Sequence, residues 1–406
     1  MSTTTDVLIV GGSVAAIRAA ETVARRAPDL TVTIVSDEAH APYERPPLSK
    51  VGLGDNLDLE TLTYPSVADL HARGVEFALD TRATALDVNG RRVVTSNGDI
   101  EYGAVVVTTG CEPIFPDMFR GLPDVFTLRR YSDAEALRAA VSDRTTSVAV
   151  IGAGFIGGEF ASTLAKDGRD VTIVDLAEKP LGRFGAQAAA VYADLHRDSG
   201  VTLRLGDAVV GVGVENSAAG RVLRLADGDT VAADVILVGI GVRPSTEWLD
   251  NSGVTLNNGV VCDAHLRAAD RVYAAGDVVC WPNGRFGTSM RVEHWTNAAE
   301  QGRVAGTNAA NAVSGLPPVE CATVPYFWSD QHGVRIQFSG YLTGAEDIVE
   351  SRTPGGSIFV YKLGETVTGV LAFERRAEFV KLRGMLRHET PWDAVQDMLP
   401  VGSSLV

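Results

Sequence analysis

Residues Ser147–Asp175 read SVAVIGAGFIGGEFASTLAKDGRDVTIVD. An apolar run from Val148 leads into Gly152, Gly154 and Gly157 at G-x-G-x-x-G spacing, with Phe155 and Ile156 inside the motif. A helical stretch follows, and then a second apolar run closes on Asp175. This is a βαβ unit whose glycines allow a tight turn, close approach of a pyrophosphate to the helix N-terminus and close helix–strand packing. Asp175 falls where an acid binds a ribose 2′-hydroxyl, and Lys179 and Arg183 are the cations near it. The competing reading is a tight turn in a core βαβ unit with no ligand.

A second copy of the design lies upstream, DVLIVGGSVAAIRAAETVARRAPDLTVTIVSDE from Asp6. Gly11 is in place, but Ser13 and Ala16 occupy the second and third glycine positions. Ala16 is a tolerated variant. The Ser13 hydroxyl either donates to a phosphate or displaces it slightly. The closing acid falls on Asp37, with Ser36 and Glu38 one residue away in register.

Three further strand-like runs end in glycine: VVVTTG reaches Gly110, VILVGIGVRP passes Gly239 and Gly241, and VYAAGDVV carries Gly276 and Asp277. Asp277 suits a sugar-alcohol hydroxyl; capping a helix is the alternative. After Gly315 the composition changes, with Pro317 and Pro318 followed by alternating segments VRIQFSGY, SIFVYKLG and TVTGVLAFE that predict antiparallel strands. A helical stretch then carries Arg375, Arg376, Lys381, Arg383 and Arg387 against Glu374, Glu378 and Glu389. The expected fold class is α/β, two Rossmann-like dinucleotide-binding domains plus a C-terminal α+β domain.

The 406 residues carry a net charge of −15, which argues against nucleic acid and anionic membranes as general partners while leaving room for a local basic patch. No apolar run reaches the ~18 residues of a membrane span, and a strand beginning at Asp6 leaves no room for a leader, so the expected location is cytoplasmic. Cys111, Cys262, Cys280 and Cys321 are far apart in sequence and form no C-x2-C or C-x4-C pair, so buried single thiols are expected and no metal site.

PYERPPLSK, Pro42 to Lys50, interrupts what an ordinary βαβ connection needs. Its prolines fix φ and remove donors, which presents Arg45 and Lys50 from a stiff segment. With its two βαβ units, the AAGD run ending at Asp277 and a C-terminal α+β domain, this chain resembles the two-dinucleotide-binding, glutathione-reductase-like flavoproteins, and PYERPPLSK, LRRYSDA at Leu128 and PYFWSDQ at Pro325 carry a narrower likeness. Within them it resembles the oxygenase-coupled, NADH-dependent ferredoxin reductases that serve cytochrome P450 and Rieske dioxygenase systems.

The resemblance implies FAD on the first, imperfect copy and NADH on the second. It divides the chain into 1–110 and 241–316 for FAD, 111–240 for NADH, and 317–406 for the C-terminal domain. It places Gly11, Val14, Ala15 and Asp37 around the adenine end of FAD, and Arg45, Ala83, Thr109, Gly110 and Arg129 along the rest; Ser13, also expected at the cofactor, departs from the family's pattern. Asp277 would hold the ribityl chain, Trp295 would lie near the flavin ring and Trp328 at its edge. Glu112 stands where the family usually has a basic residue. Lys50 would stabilise negative charge on the reduced ring, or is a solvated lysine. Glu159, read on the first turn of its helix, would approach the nicotinamide and pair with Lys50, or merely stabilises the helix start.

Without a cysteine pair, the expected acceptor is a [2Fe-2S] ferredoxin, an acidic protein that the Arg375–Arg387 stretch would steer unless that stretch is only a solvated face. A rubredoxin reductase, an NADH oxidase or quinone reductase, and an NADH-sensing flavoprotein of the apoptosis-inducing-factor type are the alternatives.

Overall fold

The computed structural model describes residues 3–50, 58–214, 220–399 and 404–405. The chain divides into two compact units, one of Met1–Glu44, Asp58–Glu112 and Arg243–Tyr326, the other of Arg45–Leu57, Pro113–Val242 and Phe327–Val406.

The first unit is built on a sheet whose order runs Arg267–Ala269, Val272–Ala274, Ile100–Val107, Thr3–Val10, Val32–Val35 and Glu76–Ala78. The strand Thr3–Val10 is parallel to both neighbours, pairing Ile9 with Ile34 and with Val106. A strand covered on both faces needs a continuous apolar run rather than alternation, and Val7, Leu8 and Ile9 are wholly buried. The helix Val14–Arg26 is rich in alanine because the helix Trp295–Ser314 lies directly on it. A Cβ on Gly302 would stand 2.4 Å from the Ala15 carbonyl oxygen, and one on Gly306 2.6 Å from that of Ala19. The long helix ends where the composition changes: Gly315 takes φ +70°, a left-handed cap that ordinary residues adopt only at a cost.

The second unit contains the other parallel sheet, ordered Thr202–Leu205, Val171–Asp175, Val148–Ile151, Val235–Val238 and Val125–Phe126. An antiparallel trio, Val209–Val214, Arg221–Leu225 and Thr230–Ala233, adds to it and was not expected from the sequence. The C-terminal sheet is ordered Tyr326–Gln331, Val334–Gly340, Thr366–Glu374, Gly356–Leu363, Asp347–Thr353 and Ser404–Leu405, with the helix Arg376–Met385 following Thr366–Glu374 in the chain. Phe184 and Tyr192 of the nucleotide-type half pack with Phe338, Phe359, Tyr361 and Phe373 of this sheet in one core. The α/β class with two Rossmann-like sheets and an α+β C-terminal region is the fold the sequence predicted.

Candidate active site

The Gly152–Gly157 turn uses its glycines for different reasons. Gly152 has φ +106°, and a Cβ there would sit 2.3 Å from the Gly239 carbonyl oxygen. A Cβ on Gly157 would meet the Gly152 carbonyl oxygen at 2.5 Å, so this glycine lets the helix Phe155–Lys166 close on its strand. A Cβ on Gly154 would meet nothing within 4 Å among the described residues: the space over the helix start is open to them. No side chain caps that start, which leaves its first amide donors for an anion. Asp175 accepts from the Ala153 amide at 2.6 Å and the Ala177 amide at 2.7 Å. Those bonds fix the carboxylate beside the turn and leave it lone pairs for a sugar hydroxyl. Ile156 is exposed at the helix start, whereas Phe155 packs 4.6 Å from the Phe327 ring and belongs to the aromatic core. Arg183 is exposed, over the Phe184 ring, and Gly241 accepts from the Ile114 amide.

Glu159 is the fifth residue of its helix, beyond the first turn. The first-turn placement, and the alternative of a carboxylate stabilising the helix start, are therefore corrected. Its side chain points inward, with the residue 6% exposed. Ser49 donates to Oε2 at 2.5 Å, Ser329 donates to Oε1 at 2.6 Å, and the Lys50 ammonium lies 3.3 Å from Oε1. Burial pushes the Glu159 carboxyl above the usual glutamate range, while Lys50, Ser329 and Ser49 hold it down. Lys50 also lies 5.2 Å from the Trp328 ring centroid, so the ammonium is flanked by a carboxylate and a π-face. The alternative of a solvated Lys50 is thereby excluded. The prolines of PYERPPLSK form the 3-10 turn Pro46–Ser49 that delivers Ser49 and Lys50 together. Arg45, just before it, donates to the Arg129 carbonyl at 2.9 Å. LRRYSDA is a helix start: Asp133 accepts from the amides of Arg129 and Arg130, each at 2.9 Å.

Sequence reading missed Ser49, Ser329, Gln331, His196 and His332. Gln331 Nε2 donates to Ser329 Oγ at 2.8 Å, His196 Nε2 is 3.0 Å from Gln331 Oε1, and His332 Nε2 is 2.9 Å from His196 Nδ1. Period-two alternation in YFWSDQ was the available signal, since Ser329 and Gln331 are buried on one face and Asp330 is exposed on the other.

In the first unit, Gly11 has φ +124°, with a would-be Cβ 2.3 Å from the Thr108 carbonyl oxygen. Ser13 is the extended residue before the helix Val14–Arg26 and its hydroxyl caps no amide there. Val14 and Ala15 are buried in its first turn. Of the three acid-register positions, Ser36 is buried, Glu38 accepts from Tyr43, and Asp37 pairs with Arg82 at 3.0 Å. Ala83 begins a half-buried strand, Thr109 donates to the Ser245 carbonyl, and Gly110 takes φ +65°. The Gly276 amide donates to Gln301 Oε1 at 2.9 Å. Asp277 lies in a turn before the strand Val279–Asn283, not at a helix start, so the capping alternative is corrected. Trp295 opens the long helix and donates to Tyr64.

All four cysteines are free thiols. Burial pushes Cys262 up and Cys321 up to about 12, which marks both as inert at neutral pH. Among the described residues no group of three or more His, Cys, Asp or Glu is placed to hold a metal, and no helix is long and apolar enough to cross a membrane. In the basic stretch, Arg375 is buried, bonded to Glu378 and the Ser351 carbonyl, and so leaves the expected surface patch.

Residues 5–302 match the family described as pyridine nucleotide-disulphide oxidoreductase, and residues 326–400 match the reductase C-terminal family. The chain belongs to the pyridine nucleotide-disulphide oxidoreductase family. It is 31% identical to rhodocoxin reductase of Rhodococcus erythropolis over 95% of this chain and 90% of that one. It is 33% identical to the ferredoxin–NAD(+) reductase component of the anthranilate 1,2-dioxygenase system of Burkholderia cepacia, over 88% of this chain and 87% of the relative. Among solved structures, the covalent putidaredoxin reductase–putidaredoxin complex superposes with a TM-score of 0.87 at 27% identity, over 95% of this chain and 94% of that one.

FAD and NADH are the cofactors of these ferredoxin reductases, and the residues present fit them. In the first unit, Asn297 Nδ2, Gln301 Nε2, Arg291 Nε and Ser245 Oγ are buried polar atoms without a partner among the described residues. Such atoms are costly unless a ligand satisfies them, and Gln301 is bonded to the same turn that carries Asp277. In the second unit, the open space over Gly154 and the uncapped helix start fit a dinucleotide pyrophosphate.

Proposed function

We propose that this chain is an FAD-dependent NADH:ferredoxin reductase that delivers single electrons to a [2Fe-2S] ferredoxin serving a cytochrome P450 or Rieske oxygenase, in the cytoplasm. FAD is assigned to residues 1–110 and 241–316, NADH to 111–240, and the C-terminal domain to 317–406. The observation that carries the reading is the Lys50–Glu159 pair, with its carboxylate buried and its ammonium largely covered, in a chain whose four cysteines are all free. Bound FAD supplies the conversion between two-electron and one-electron chemistry. The chain's own groups do the rest. The Gly154 turn and Asp175 bind and orient the dinucleotide. Lys50 supplies a shielded positive charge where reducing equivalents bring negative charge, and Glu159, held by two serines, fixes that ammonium in place.

Arg376, Val380 and Arg387 are exposed along one stripe of the C-terminal helix and the turn after it, with Val380 62% exposed. On a protein of charge −15, a basic stripe with an apolar centre suits an acidic ferredoxin. Steady-state NADH oxidation with ferredoxins encoded near this gene tests the proposal. Turnover that needs a ferredoxin is expected. Equal turnover with oxygen or quinone alone identifies an oxidase or quinone reductase instead, and slow reduction without an acceptor identifies a sensing flavoprotein.

A further inference from the structure

The turn joining Tyr326–Gln331 to Val334–Gly340 is His332-Gly333, with φ +51° and +80°. Two successive left-handed residues make the tight hairpin whose twist matches its strands. The His332 amide donates to Ser162 Oγ at 2.6 Å, so the hairpin tip is pinned to the helix Phe155–Lys166 that also carries Glu159. The side chains behind that tip form a hydrogen-bonded series with a fixed sense. Gln331 Nε2 donates to the Phe155 carbonyl at 3.4 Å as well as to Ser329. A carbonyl only accepts, so the amide nitrogen is on that side and Oε1 faces His196. His196 therefore carries its proton on Nε2 and accepts at Nδ1, where His332 Nε2–H donates. Ser329, already accepting from Gln331, donates its hydroxyl hydrogen bond to Glu159. Donation runs from His332 to His196, Gln331, Ser329 and the Glu159 carboxylate without reversal.

All members but His332 are buried, His196 at 1% exposure. The helix makes room for them with a glycine outside the G-x-G-x-x-G set: a Cβ on Gly158 would stand 2.6 Å from Gln331 Oε1 and 2.1 Å from the Tyr192 hydroxyl. We propose that His196 and His332 are positioning residues for Glu159, holding Gln331 and Ser329 with their donors aimed at its carboxylate and so sustaining its ionised form beside Lys50. The inference rests on the reading of Glu159 given above. Aligned hydrogen bonds polarise one another, and the effect is largest in a buried setting. The Gln331 amide does not pass protons, so the series orients rather than conducts. The groups acting on Glu159 are Lys50 and Ser49 from the Pro46–Ser49 turn, Ser329 from its strand, and Tyr192 from the helix Ala186–Arg197. Those acting on His196 are His332 and Gln331, with the Tyr192 ring packed edge-on. Burial keeps both imidazoles neutral at pH 7, the state in which the donation sense is defined.

The test is made on the FAD-loaded protein by following the infrared carboxyl band of Glu159, assigned by its loss in Glu159→Gln. His332→Leu cannot donate to His196, and the band's titration midpoint should rise by about half a unit, the ionised form having lost support. His332→Gln restores an N–H donor and should return the midpoint toward wild type. An unmoved midpoint in folded His332→Leu, or no rescue by His332→Gln, overturns the proposal. Should His332→Leu fail to fold, the imidazole nitrogen spectrum of the wild-type protein decides: a proton on His196 Nε2 supports the series, and one on Nδ1 overturns it. Failure of the catalytic reading shows separately, as an unchanged rate of NADH oxidation in Glu159→Gln, and leaves this titration intact.

Discussion

A carboxylate as buried as Glu159 keeps its charge only as far as its neighbours offset the lost hydration, and here one ammonium and two serine hydroxyls offset part of it. Removing the ammonium should therefore act on both partners. Lys50→Met is expected to slow NADH-driven flavin reduction by roughly tenfold, about 1.4 kcal/mol, and to make the flavin potential more negative. Glu159→Gln should shift the potential in the opposite sense, and the double variant should fall short of the sum because the groups touch. Rapid mixing and redox titration measure each effect; full additivity would mean the two act independently. Asp175 carries a second expectation at this scale: NADH preferred to NADPH, because its carboxylate would repel a 2′-phosphate. Asp175→Ala should narrow the ratio of the two kcat/KM values, and an unchanged ratio would remove Asp175 from nucleotide selection. The placement of Gly154, Gly157 and Asp175 was legible in the sequence because it is set within one βαβ unit, whereas the close approach of Gly152 to the Gly239 carbonyl depends on a strand outside it. Ser329, Gln331 and His196 were not, because their meeting depends on a hairpin register and on a partner helix more than 130 residues away in the chain.

Glycine inside a helix has a sign that only packing decides. Alanine is favoured over glycine by about 1 kcal/mol from propensity alone. At Gly384, in the helix Arg376–Met385, a Cβ would meet nothing within 4 Å, so Gly384→Ala should stabilise by up to that amount. At Gly302 the same Cβ would stand 2.4 Å from the Ala15 backbone oxygen, and the helices would have to separate. Gly302→Ala should cost on the order of 1–3 kcal/mol despite the better propensity, and should lower the flavin retained on purification. Melting curves and flavin-to-protein absorbance ratios distinguish the two; stabilisation at Gly302 would mean the close approach is not as drawn. The two βαβ elements and three C-terminal strands were readable from hydrophobic runs and turn residues. The trio Val209–Val214, Arg221–Leu225 and Thr230–Ala233 was not, since its strands carry glycines and charges that a short, half-exposed sheet tolerates. The burial of Arg375 was equally hidden: only the tertiary approach of this residue, just before its helix, to the Ser351 carbonyl makes a structural bond of what reads as surface charge.

At the scale of the molecule, net charge and buried histidine act in different ways. The charge of −15 sets which partners approach: charge reversal at Arg376 together with Arg387 should raise the KM for an acidic ferredoxin while leaving flavin reduction by NADH unchanged, and the effect should shrink with added salt. If ferredoxin turnover is indifferent to both substitutions, that helix is only a solvated face. Stability against acid belongs instead to the interior. Burial, with His332 beside it, holds His196 down at about 4, against about 6.5 for a free histidine. Below pH 6.5 the unfolded chain therefore takes up a proton that the folded chain refuses. The contribution is present in full above pH 6.5 and is lost as the pH falls toward 4, with a limit of about 3 kcal/mol. Glu159 works in the other direction, because its raised carboxyl takes up a proton in the folded state first, as the pH falls from its raised folded value to the ordinary glutamate value. A variant that removes only the imidazole isolates the histidine share between pH 7 and pH 5. His196→Gln, neutral throughout and still able to bond Gln331, should flatten the fall in apparent melting temperature across that interval even if it lowers the value at pH 7. Equal slopes in wild type and variant would show that the proton is taken up elsewhere.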